Sequence, residues 1–71
     1  MVIIFTAHAL RRMHERKVSR RQVAMTVKKP DSVGTEESDV KLFRREFNSH
    51  TLEVVAEAAK NKIIIITVYW I

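Results

Sequence analysis

Apolar and polar positions change period several times along this chain, and each change marks an element. "MVIIF" is apolar and β-branched, which predicts a short strand. Thr6 then stands where a helix N-cap belongs. At about 100° per residue, Ala9, Leu10 and Met13 fall on one side of the following helix. His8, Arg11, Arg12 and Glu15 fall on the opposite side, and His14 and Arg16 flank the stripe. The helix is expected to end near Lys17. Ser19 opens a second helix, because "SRRQ" is a capping box: the serine oxygen accepts from the N3 amide and Gln22 reaches back. Val23, Ala24 and Val27 form its inward face. Lys28 and Lys29 suit the negative end of the helix dipole, and Pro30 stops it.

Beyond Pro30 the pattern is polar and then β. "PDSVGTEESD" holds the only proline and the only glycine and reads as a loop. "VKLFRREF" alternates imperfectly, "NSH" and "KNK" read as turns, and "TLEVVAEAA" sets Leu52, Val54 and Ala56 against Glu53, Val55 and Glu57. "IIIITVYW" is apolar on both faces, which suits a central or doubly covered strand. In strict alternation Ile64, Ile66, Val68 and Trp70 form one row, and Ile63, Ile65, Tyr69 and Ile71 the other. The expected architecture is β-α-α-β-β-β. It is an α+β fold in one domain, residues 1–71, with two helices packed on a small antiparallel sheet. Two short helices cover one sheet face, so the second face of the last strand is a candidate surface for a partner or a second copy.

Composition narrows the function classes. With 71 residues and no cysteine, neither disulfides nor thiolate metal sites support the core. The apolar run "IIIITVYWI" is far shorter than a membrane-spanning helix, and the opening lacks a basic signal-peptide region. The sequence therefore reads as a soluble, cytoplasmic protein with no membrane partner. The formal charge is +5, unevenly spread. Residues 1–30 carry eight Lys/Arg against Glu15 alone, a net of +7, whereas residues 31–40 carry four acids and no base. A basic half with an acidic segment suits an anionic partner such as nucleic acid.

Candidate chemistry follows from the same residues. His8 and His14 sit about 120° apart around a helix, so they do not converge on one ion, and no metal or other cofactor is expected. A lone glycine, Gly34, excludes a glycine-rich nucleotide cradle. RNA cleavage needs less: a base for the 2′-hydroxyl, an acid for the leaving 5′-oxygen, and cations for the charged phosphorane. His8 and Tyr69 are the candidate acid–base groups. Arg12, Arg16, Arg44, Arg45 and Thr67 are the candidate RNA-binding residues, and the strands also offer Glu46 and Glu53. The plainer reading makes the helix a solvated face, Arg44 and Arg45 edge protection, and Tyr69 and Trp70 core or interface anchors.

"FTAHALRRMHERKVSRRQV", with "LEVVAEAAKNKIIIITVYW" after the loop, resembles the bacterial family catalogued as domain of unknown function 4258. His8-Ala9, Arg12-Met13 and Arg16 match its first motif, and Thr67, Val68 and Tyr69 match its last. The layout is similar to that of small toxins of the RelE and BrnT kind. That resemblance implies a toxin-like RNA-binding protein, a metal-independent endoribonuclease paired with an antitoxin. The alternative is a non-catalytic interaction module or a homodimer. Family members commonly have glycine where Lys17 stands, which matters if the helix ends in a left-handed residue.

Overall fold

A computed structural model describes all residues, Met1–Ile71. The order is β1 (Val2–Phe5), α1 (Ala7–Arg16), α2 (Arg20–Lys28), β2 (Ser32–Glu37), β3 (Val40–Phe47), β4 (His50–Ala59) and β5 (Lys62–Trp70). The fold is α+β, with two helices on one face of a five-stranded sheet of order β1-β5-β4-β3-β2. No helix is long and apolar enough to cross a membrane.

Two features depart from the sequence expectation. The sheet is mixed, because β1 pairs in parallel with β5 while β2 to β5 form an antiparallel meander. The helical hairpin α1–α2 separates β1 from the meander and carries the chain back across the sheet, so the first strand can join the last without a tight turn. The second departure is β2, which occupies the segment expected to be a loop. Every β2 residue is exposed. An edge strand wet on both faces needs no apolar alternation, so the pattern that reveals buried strands is missing there.

The helix boundaries follow from their caps. Thr6 accepts from the Ala9 amide at 3.0 Å and donates to the Ile65 carbonyl at 2.8 Å, fixing α1 to β5 as well as starting it. The capping box at Ser19 is complete, with both reciprocal bonds to Gln22. Lys17 ends α1 at φ 56, ψ 49, in the left-handed region. Its amide and that of Val18 return to the carbonyls of His14 and Met13, and both Val18 and Met13 are buried. This is a Schellman ending with its apolar contact, built on a lysine rather than a glycine. The β3–β4 turn is similar in kind: Asn48 and Ser49 both have positive φ, as a two-residue hairpin requires.

The core lies between helices and sheet. Ala9, Met13, Val18, Val23 and Val27 meet Phe43, Leu52, Val54, Ala56, Ile63, Ile65 and Val68. Thr26 joins α2's buried face by donating to the Gln22 carbonyl at 2.7 Å. Leu10, expected inside, is exposed. Strict alternation also fails along β5. Val55 pairs with Thr67 but Ala56 pairs with Ile65, so Ile66 is an extra, unpaired residue. This bulge puts Ile63, Ile65, Val68 and Trp70 on the helix side and Ile64, Thr67 and Tyr69 on the open face.

Lys17 is the position where one substitution should improve the fold. Lys17→Gly removes the Cβ clash of the left-handed conformation and should raise stability by about 1 kcal/mol. A urea midpoint that moves up, with an unchanged m-value, is the expected result; no change or a decrease contradicts the strain.

Candidate functional site

The open face of the sheet carries one polar cluster, built across three adjacent strands. Arg44 on β3 stands opposite Glu53 on β4, and Glu53 stands opposite Tyr69 on β5. Directly opposed residues are close enough for their side chains to meet. The Arg44 Nε–H donates to Glu53 Oε1 at 2.7 Å, and the Tyr69 hydroxyl donates to Oε2. Both carboxylate oxygens are therefore occupied by separate donors. Glu53 is 2% exposed although no helix covers this face, because Tyr69 and Arg44 lie beside it and seal it. Arg44 is half exposed at its side chain, and Tyr69 lies at the exposed margin. The cluster thus presents a phenol and a guanidinium outward over a buried anion. Thr67 lies two residues before Tyr69 on the same face, opposite Val55.

The remaining sequence-predicted residues lie elsewhere. His8 is exposed on the first turn of α1, which packs against the other face of the sheet. It does not join Tyr69. Arg12 pairs with Glu15 at 2.6 Å, one helical turn away. That bond holds the Glu15 carboxyl below its ordinary range, with nearby Arg16 and Arg11 adding to the effect. Because the folded-state value is lowered, the pair contributes above the ordinary glutamate range and is lost as pH falls through the lowered value. Arg16 is a structural tie: its guanidinium donates to the Val68 carbonyl at 2.9 Å, and its own carbonyl accepts the Trp70 indole N–H at 2.9 Å. Arg45 points to the helix side, donates to the Lys29 carbonyl at 2.6 Å and lies over the Phe47 ring. It closes the end of α2.

Glu53 is the site residue that sequence reasoning undervalues. Its position in an alternating strand reads as an ordinary solvent-facing carboxylate. Nothing local reveals that two strands bring a donor to each of its oxygens. The signal that exists is the register: the hairpin turn at "NSH" places Arg44 opposite Glu53, whereas Tyr69 reaches Glu53 only through the bulge at Ile66.

Charge is divided between the layers. The helical layer, residues 1–30, holds eight Lys/Arg and one acid; residues 31–71 hold five Lys/Arg and seven acids. Arg12 is the only helical cation in an ion pair. Arg11, Lys17, Arg20, Arg21, Lys28 and Lys29 are all exposed. On α2, Arg21, Lys28 and Lys29 border a shallow depression floored by Ala24 and Met25.

Residues 5–70 match the family described as Domain of unknown function (DUF4258), and the chain belongs to that family. Comparison with curated proteins and with solved structures gives no match.

The cluster makes an asymmetric stability prediction. Tyr69→Phe leaves the buried carboxylate short of one donor and should destabilise by about 1–2 kcal/mol. Glu53→Leu removes the anion and leaves Tyr69 and Arg44 free to turn to water, so its effect should stay within about 1 kcal/mol. Chemical denaturation of the two variants distinguishes them; the reverse order contradicts the assignment of Glu53 as the buried, donor-dependent group.

Proposed function

We propose that the protein binds single-stranded RNA through its helical layer and cleaves it, without a metal, at the open-face cluster. The observation that carries this reading is the helical layer itself: six exposed cations without a carboxylate partner, above a sheet that holds nearly all the acids. A surface evolved only for solubility interleaves both signs. One that collects one sign supplies a phosphate backbone with counter-charge.

The open-face cluster supplies the groups that RNA transesterification needs. In that reaction the 2′-oxygen attacks phosphorus and expels the 5′-oxygen. A base removes the 2′ proton and an acid protonates the leaving oxygen, roles that one group can take in turn. Tyr69 is the outward group: it passes its phenol proton to Glu53, takes the 2′ proton, and gives that proton to the leaving 5′-oxygen as Glu53 returns its own. Glu53 is too buried to meet substrate and acts as a positioning residue and proton acceptor. Arg44 meets the phosphate, where a guanidinium matches two oxygens. Thr67 orients the backbone beside them. His8, Arg12 and Arg16 lie outside this cleavage centre; His8 and Arg12 flank the basic layer. On this reading the likeness in layout to toxins of the RelE and BrnT kind extends to activity, and an antitoxin is the protein partner.

The test is salt-dependent binding of a fluorescein-labelled RNA octamer, followed by gel analysis of the RNA. Affinity should fall linearly in log–log form with salt. Arg21→Ala, Lys28→Ala and Lys29→Ala should each reduce the slope by about one where they contact phosphate. Tyr69→Phe should bind RNA as wild type does and leave it intact. Binding without cleavage by the wild type would remove the catalytic half of the proposal. No binding at low salt would remove all of it and leave the uncharged β1 edge, with Val2 and Ile4 exposed, as the better-supported surface for a partner chain.

A further inference from the structure

On the helix side of the sheet, where β3 turns into β4, a second feature has no part in the cleavage cluster. Gln22, Phe47, Asn48, His50 and Trp70 line a cavity of about 380 Å³. The aromatic wall is fixed from several directions. The Trp70 indole N–H donates to the Arg16 carbonyl at 2.9 Å. The Phe47 ring meets Trp70 edge-to-face, with centroids 6.4 Å apart. His50 lies 6.5 Å from the indole at a similar angle. Such a wall is rigid before anything binds it, so little side-chain entropy is lost on stacking.

The polar groups of the cavity are amides and an imidazole, with no carboxylate. Gln22 uses its carbonyl oxygen in the capping box, accepting from the Ser19 amide at 2.9 Å. Its NH₂ group remains as a donor. Asn48 is exposed at the hairpin turn and offers both a donor and an acceptor. The nearest cations in the chain serve other places: Arg20 lies over the Phe5 ring, 5.0 Å from its centroid, and Arg21 borders the separate depression on α2. An aromatic wall with neutral hydrogen-bonding groups and no carboxylate matches a planar heterocycle whose phosphate lies outside the pocket.

We propose that this cavity holds a nucleobase of single-stranded RNA, stacked against Trp70, with the near-perpendicular His50 ring closing one side and Gln22 and Asn48 meeting its edge. The inference rests on the RNA-binding reading and adds a base-recognition subsite to it. Trp70 and Tyr69 are consecutive in β5 and project to opposite faces of the sheet. The subsite and the cleavage cluster therefore sit on either side of one strand end. A bound strand that passes round this end would have its register set by the base held at Trp70.

Trp70 is the only tryptophan, so its fluorescence reports this cavity alone. The experiment titrates the full chain with an adenosine octamer and with an abasic ribose-phosphate oligomer of the same length, following both tryptophan emission and anisotropy of a labelled end. The expected result is quenching by the octamer, little change with the abasic oligomer, and weaker binding of the latter. His50→Ala removes an exposed side chain and should lower octamer affinity about tenfold, with abasic binding and the circular dichroism spectrum unchanged. Equal affinity for the two oligomers without quenching would overturn the subsite and leave phosphate binding standing. Octamer affinity unchanged in His50→Ala would also overturn it. Failure of both oligomers to bind would overturn the RNA-binding reading and this inference together.

Discussion

Ile66 has no partner in β4, and that one extra residue decides which chemistry each sheet face carries. Before it, β5 places Ile63 and Ile65 in the core. After it, the odd positions turn outward, so Thr67 and Tyr69 reach the open face while Val68 and Trp70 turn under the helices. Side chains in a strand alternate with period two, so a one-residue insertion inverts every position beyond it. Without the bulge, Tyr69 would follow Ile63 and Ile65 into the core and leave Glu53 without its hydroxyl donor. Trp70 would leave Phe47 for solvent. The buried carboxylate and the aromatic cavity therefore both depend on this irregularity.

The bulge lies next to a second constraint. β1 pairs with β5 only as far as Ile65, and beyond that α1 takes the place of a strand. Thr6 binds the Ile65 carbonyl, Arg16 binds the Val68 carbonyl, and Trp70 returns a bond to the Arg16 carbonyl. Buried or edge carbonyls need partners, and here helix side chains supply them. Arg16 is thereby a structural residue. Its charge serves the sheet edge, and the exposed cations of α2 are the ones available to an anionic partner.

Much of this was legible in the residues. The two helices, their caps, the α+β layering and the meander follow from period, capping chemistry and turn residues, all of them local. The left-handed ending at Lys17 carries no signal in the residue itself, since lysine gives no sign of a positive φ. What could not be read was non-local. β2 carries no apolar alternation because it is exposed on both faces. The parallel pairing of β1 depends on where the helical hairpin returns the chain. The bulge at Ile66 leaves no mark in a run of four isoleucines, since any one of them could be the extra residue. For the site, Arg44, Thr67 and Tyr69 do share the open face. His8, Arg12, Arg16 and Arg45 do not, because basic residues on one helix look alike whether they face a ligand, a carboxylate or a backbone carbonyl.

The proposed RNA path runs from the cationic helical layer round one strand end, with the aromatic cavity on the helix side and phenol, guanidinium and buried carboxylate on the open face. The most direct measurement is nitrogen-edited NMR of the labelled chain during titration with an RNA octamer, following two side-chain signals: the Nε–H of Arg44 and the indole N–H of Trp70. The account predicts that both shift along the same saturation curve, while backbone signals of the exposed β2 edge stay in place. Saturating RNA that moves only the α2 lysines and arginines, with Arg44 and Trp70 unchanged, would contradict it.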